Sequence, residues 1–530
     1  MEKKQSFLHG AVILAGAVAI VKVIGAIFKI PLGNLLDETG YGHFNIAYSV
    51  YNVLLVISTA GLPVAVSKMV SEANAQGRTG EISRIIRITM MIFCAIGFVG
   101  SAGMFIFAQQ LADLMKSPGS VYTIRVIAPA TFFVSMMSVF RGYYQGLSNM
   151  YPTALSQIIE ALCKLVIGYG LAYTLIKRGY TQDIAAAGAI AGVMVGTVLG
   201  ALFLILRRMF DKNKPAGGGT GNRRSTGELA KRLLAIAVPI TVGSGVLALT
   251  NFIDTALVMQ RLQTTAGFGE ERALWLYGAY GLAQTLFSFP AAFIVPFSVA
   301  VVPTVSAAAA RGERTRVSKT IESAMRLVSM LALPAAAGLS VLAGPILALL
   351  FPNRPDGVVA ATLPLQILGV AVFFNCIVIL SNSVLQSLGK VRLPVYTMLV
   401  GAAVKIVANW NLVGLPQVNI NGAPIGTCLC YGIIMLLNMI AISGVVKPPL
   451  NIVRMFGRPF VATAVMAAAA WASNGLLCRV MSPRIAVLGA IVIACGVYFV
   501  LALLLKVINR EDLVMLPKGE KLADLLRLPR

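Results

Sequence analysis

Charge is scarce in this 530-residue chain: Asp, Glu, Lys and Arg together make 12% of it, about half the share of a soluble globular protein. Acids are the scarcer sign, with 20 Asp and Glu against 44 Lys and Arg. Only two histidines occur, His9 and His43, and they are far apart, so a histidine-based metal site is excluded. The seven cysteines show no CxxC pair and most lie in apolar stretches, which predicts small buried apolar side chains and not disulfides. No GK[ST] phosphate loop is present, so direct use of a nucleotide is not expected. What is abundant is apolar surface, 58% of residues. That is too much for soluble cores, which divide into domains as they grow. The runs are continuous over about 20 residues, the length of a membrane-spanning helix, and do not alternate as barrel strands do. The fold class is therefore all-α integral membrane.

Fourteen spans are predicted, near 8–31, 44–66, 85–109, 121–146, 152–176, 184–206, 234–260, 273–299, 327–351, 361–386, 393–414, 424–446, 459–478 and 485–506. The net charge of +24 does not mark a nucleic-acid binder, because most Lys and Arg fall in short connectors. With the N-terminus inside, the inner connectors take far more of them than the outer ones. The positive-inside rule then places both termini in the cytoplasm of a plasma-membrane protein. The basic connectors 67–87 and 303–326 and the basic tail read as amphipathic helices on the membrane surface, in contact with anionic lipids. The Gly-rich stretch within 207–233 reads as a flexible linker.

The linker divides the chain into expected units: a six-helix lobe at 1–210, the linker at 211–232, a second six-helix lobe at 233–447, and two extra helices with the tail at 448–530. The lobes share weak internal similarity. GAIAG (188–192) matches GAPIG (422–426), and VSEANAQG (70–77) matches VSAAAARG (305–312). Gln145 precedes Lys164 by the same interval that separates Gln386 from Lys405. An even number of spans per repeat makes the two lobes parallel repeats. Gly188, Gly192, Gly196 and Gly200 recur every fourth residue and predict a close helix–helix contact.

Charges inside spans cost roughly 2.5–3.5 kcal/mol each on insertion scales, so they mark function. They are Lys22 and Lys29, Arg125, Glu160 and Lys164, Asp254, and Lys405. Lys22 and Lys29 are seven residues apart and share one helix face, although Lys29 and Arg125 sit near span ends, from which they could snorkel. Glu160 and Lys164 are spaced as an i,i+4 pair in the favourable order. Lys405, the repeat partner of Lys164, has Gly401 in place of that glutamate. The basic excess calls for an anionic ligand, and ammonium groups suit phosphate. Lys22, Lys29, Arg125, Lys164 and Lys405 are the expected binding set. Glu160 and Asp254 are candidates for ion coupling or structural pairing.

Three stretches carry a family resemblance. GYGHFNIAYSVYNVLLVISTAGLPVAVSKMVSEANAQG (40–77), RGYYQGLSNMYPTALSQIIE (141–160) and the KxxGxxxKxP pattern at Lys22, Gly25, Lys29 and Pro31 resemble the stage V sporulation protein B and MurJ-like branch of the multidrug/oligosaccharidyl-lipid/polysaccharide exporter superfamily. The resemblance implies a fourteen-helix transporter, not an enzyme, with two six-helix lobes around a central cavity and no cofactor. It would move lipid-linked saccharides, driven by membrane potential or a coupling ion such as a proton, sodium or chloride. It also implies substrate handling by Lys22 and Lys29. AQTLFSFP (283–290) has Thr285 where MurJ proper bears an arginine, which favours the sporulation-protein-like subgroup. An ion-coupled exporter of organic cations is the alternative within the same fold. A polyprenyl-dependent transferase, for which His43, Asp37 and Glu38 share an outer connector, is a third reading from another class.

Overall fold

The computed structural model describes residues 7–211 and 225–505, and among them it contains no strand. The helices run α1 Phe7–Leu35, α2 Glu38–Thr59, α3 Leu62–Ala75, α4 Thr79–Ile106, α5 Ala108–Leu114, α6 Val121–Gly146, α7 Tyr151–Cys163, α8 Tyr169–Lys177 and α9 Gln182–Met209. They continue with α10 Thr226–Thr264, α11 Glu270–Ala310, α12 Arg314–Val341, α13 Ala343–Leu350, α14 Pro355–Ser387, α15 Arg392–Leu412, α16 Gly422–Val445, α17 Arg458–Leu477 and α18 Pro483–Leu504. Helix starts follow local chemistry. Asp37 accepts hydrogen bonds from the Gly40 amide and the Thr39 hydroxyl, both at 2.7 Å, ahead of α2. Ser225 and Glu228 form a reciprocal capping box that opens α10.

Thirteen stretches of the described residues are long and apolar enough to cross a membrane. They coincide with thirteen of the fourteen expected spans. The remaining expected span, 234–260, lies within helix α10. Two expectations are corrected here. The connectors 67–87 and 303–326 are not separate surface helices. Helix α3 continues to Ala75 and α4 starts at Thr79, while α11 continues to Ala310 and α12 starts at Arg314. Their basic residues therefore lie on α3, α4 and α12 and in the tight turns that precede α4 and α12. The cysteines are also less buried than expected. Cys376 and Cys430 are buried, but Cys478 and Cys495 are exposed. An apolar side chain on a membrane helix has no need to turn inward, and Phe98, Val99, Val359 and Leu504 are likewise exposed. Most of the linker and the basic tail fall outside the described residues.

The chain forms two compact units, Met1–Gly278 and Ala279–Arg530, with the boundary inside α11. In the first unit the small-residue stripe of α9 meets the span formed by α7 and α8. A methyl group added at Gly192 would fall 2.2 Å from the Gly168 Cα, and one at Gly196 would fall 2.7 Å from the Glu160 carbonyl oxygen. Close backbone contact of this kind replaces the hydrophobic drive that membrane helices lack. The second unit repeats the seam between α15 and α16. A methyl at Gly426 would meet the Asn409 side chain at 2.0 Å, and one at Gly401 would meet Ile434 at 2.4 Å. Within that unit Asn438 knits three helices together. It donates to Ser381 Oγ at 2.9 Å and Asn382 Oδ1 at 2.8 Å, and accepts from Thr397 Oγ1 at 2.8 Å.

Candidate functional site in the first unit

Helices α7 and α8 form one span joined by a π-helical stretch, Lys164–Gly168. Its end, Gly168, is the residue pressed against Gly192 of α9. Wide turns of this type inside α-helices concentrate at functional positions. This one begins at a lysine. The Lys164 ammonium lies over two aromatic rings, 4.8 Å from the centroid of Tyr48 on α2 and 5.1 Å from that of Phe28 on α1. Each such contact is worth about 0.5–2 kcal/mol, the upper value applying when the cation is desolvated. Lys29 lies within electrostatic reach of both Lys164 and Lys22. Lys29 and Lys164 are half-buried and Lys22 is exposed. Among the described residues none of the three forms an ion pair.

The carboxylate expected beside Lys164 is engaged elsewhere. Glu160 Oε2 accepts from Arg141 Nη2 of α6 at 3.1 Å. Arg141 Nε donates to Ser156 Oγ at 3.0 Å, and Ser156 in turn donates to the Thr153 carbonyl at 2.8 Å. Arg141 is 9% exposed. Removing one partner from a fully buried pair costs about 3–5 kcal/mol; the Glu160 side chain keeps 26% of its exposure, so the cost here is smaller. Sequence reasoning counted Arg141 among the inner connector charges and missed it as a site residue. The available signal was its place at the head of the family-resembling run 141–160, which folds back as a hairpin and brings its two ends together.

The remaining candidates are dispersed. Arg125 is exposed and sixteen residues before Arg141 on α6, about 24 Å along the helix axis, so it does not join the ion pair. Asp254 is buried on α10. Next to it, Thr255 accepts from Ser49 Oγ at 3.1 Å and contacts Tyr277 Oη at 3.0 Å. Lys405 is half-buried on α15 of the second unit. The His43, Asp37 and Glu38 group is structural in its contacts. His43 Nδ1 is 2.8 Å from Ser120 Oγ, its ring packs on Gly119, and Asp37 caps α2. No group of three or more His, Cys, Asp or Glu among the described residues could hold a metal ion.

Comparisons agree with this architecture. The chain is 25% identical over 520 residues to the stage V sporulation protein B of Bacillus subtilis, covering 97% of this chain and 98% of the relative. It is 25% identical to the lipid II flippase MurJ of the same organism, covering 82% of each. Among solved structures, an inward closed conformation of the lipid II flippase MurJ superposes with a TM-score of 0.73 at 12% identity, covering 93% of this chain and 98% of that one. An inward-facing multidrug resistance MATE transporter of the MOP superfamily gives 0.66 at 14% identity, over 85% and 98%. At those identities the structures establish the fold, which is that of MurJ and MATE transporters. A MatE family model matches residues 277–411. The polysaccharide biosynthesis protein model matches residues 7–309, more than half of the chain, and the protein belongs to that family.

Proposed function

We propose that this protein is a flippase that moves polyprenyl-pyrophosphate-linked saccharides, lipid II or a related wall, spore or polysaccharide precursor, across the plasma membrane by alternating access. The observation that carries the reading is the convergence of Lys22, Lys29 and Lys164 in the first unit, where Glu160 stays within electrostatic reach of Lys164 but forms its ion pair with Arg141. Three ammonium groups at membrane depth without ion-pair partners are costly unless an anion joins them. A pyrophosphate supplies that charge, and lysine meets it as a point charge. Lys405 and Arg125 extend the binding set in this reading, and Asp254 is held for ion coupling. The relatives support it through their names, one being a lipid II flippase. Both termini are placed in the cytoplasm, as the distribution of basic connectors indicates. The energy source is the membrane potential or an ion gradient, since one charge crossing 100 mV releases about 2.3 kcal/mol.

The test is rescue of a cell depleted of its lipid II flippase, with wild type against Lys22→Ala, and insertion checked by immunoblot. Wild type restores growth and Lys22→Ala does not. Full rescue by Lys22→Ala would reject the role given to the cluster. The MatE match over 277–411 favours a second reading, an ion-coupled antiporter of organic cations. Under that reading deletion raises drug sensitivity and leaves lipid-linked precursors evenly distributed.

A further inference from the structure

We infer that Arg141 is a positioning residue for this same site: it ties Glu160 into an ion pair of its own, so that Lys164 forms none and stays open to the anionic ligand. The inference rests on the proposed flippase reading and adds a residue to it.

Glutamate four residues before lysine is the best-placed ion-pair partner on an α-helix. Two features of the structure oppose that pairing. Arg141 takes Glu160 Oε2 at 3.1 Å, and its own guanidinium is fixed by Ser156, one turn before Glu160 on the same helix. Phe28 and Tyr48 then receive the ammonium on their ring faces. An aromatic face holds a cation more weakly than a carboxylate does and leaves its formal charge unmatched, so an arriving phosphate can still claim it.

In the second unit the position four residues before the repeat lysine carries no carboxylate at all. Lys405 follows Gly401 by four residues, and a side chain at Gly401 would run into Ile434 at 2.4 Å and the Cys430 carbonyl at 3.2 Å. No carboxylate can be accommodated there without moving α16. One repeat excludes the carboxylate sterically; the other keeps it and ties it to an arginine. The cost of burying Arg141 is then spent on the charge state of its neighbour.

The test measures binding of farnesyl pyrophosphate, a short polyprenyl pyrophosphate, to the full chain in detergent, with melting temperature recorded for each variant. Arg141→Gln frees Glu160 to pair with Lys164 and is expected to weaken binding at least tenfold, about 1.4 kcal/mol. Arg141→Lys keeps the pairing and stays within about threefold of wild type, on the scale of that tenfold step. The double variant Arg141→Gln/Glu160→Gln regains binding to within the same margin of Glu160→Gln alone. Lys164→Gln loses binding in every background. If Arg141→Gln does not fold, the comparison of the double variant, which removes both charges, with Glu160→Gln, in which Arg141 keeps its bond to Ser156, still decides. A double variant as weak as Arg141→Gln, or weaker than Glu160→Gln, overturns the inference, because Arg141 would then touch the anion itself or serve packing only. Wild type that does not bind, with Lys164→Gln indistinguishable from it, brings down the flippase reading and this inference together.

Discussion

Gly192→Ala tests the seam that shapes the site. The added methyl would sit 2.2 Å from the Gly168 Cα and 2.3 Å from its amide nitrogen. Carbon atoms pack at about 3.5–4.0 Å, so α9 must retreat from the π-turn by about 1 Å or more. Both obstructing atoms are backbone, and no rotamer change relieves them. Overpacking costs about 1–3 kcal/mol, and rigid neighbours put this site at the upper end. Alanine returns up to about 1 kcal/mol through its helix propensity. The net expectation is about 2 kcal/mol of destabilisation. Gly170→Ala, two residues past the π-turn with nothing within 4 Å of the added methyl, is the matched control and should be neutral or slightly stabilising. Denaturant unfolding in mixed micelles measures both. The Gly192 variant should also translocate poorly even where it folds, because Gly168 ends the stretch that begins at Lys164. Equal stability of the two variants would refute the reasoning, since the clash would then be absorbed at no cost.

Two further outcomes follow from contacts outside the site. Asn438→Leu removes three interhelical hydrogen bonds in the second unit and should cost about 2 kcal/mol, at about 0.6 kcal/mol or somewhat more per bond in a bilayer, read by the same unfolding assay. In the connector before α12, donation from Arg311 and Arg316 holds the Glu313 carboxyl below the ordinary glutamate range. The stabilisation is therefore present above the ordinary range and disappears as pH falls through the lowered value. Arg311→Gln should move the Glu313 titration upward in carbon-detected NMR, and an unmoved titration would show that the arginine is not its cause.

The stretches able to span a membrane were legible in the chain because hydropathy over about 20 residues is a local property. The lysine stripe of α1 and the glycine stripe of α9 were legible for a related reason: helical periodicity projects residues at fixed intervals onto one face. The Gly192 and Gly196 contacts bear out the packing role expected of that stripe. The helix ends were read less well at 67–87 and 303–326. Hydropathy marks where apolar residues stop, and helical hydrogen bonding continues past that point.

Partner choice lay beyond local pattern. Sequence spacing set Glu160 beside Lys164, and Arg141 looked like one connector charge among several. Tertiary structure decided otherwise, by folding α6 against α7 so that a guanidinium nineteen residues away reaches Glu160 at 3.1 Å, while rings from α1 and α2 take the lysine. The amino-acid order determined that ionisable groups would be buried in the membrane and how many of each sign. Which of them neutralise one another depends on distances of a few ångströms between helices, and those exist only once the helices have packed.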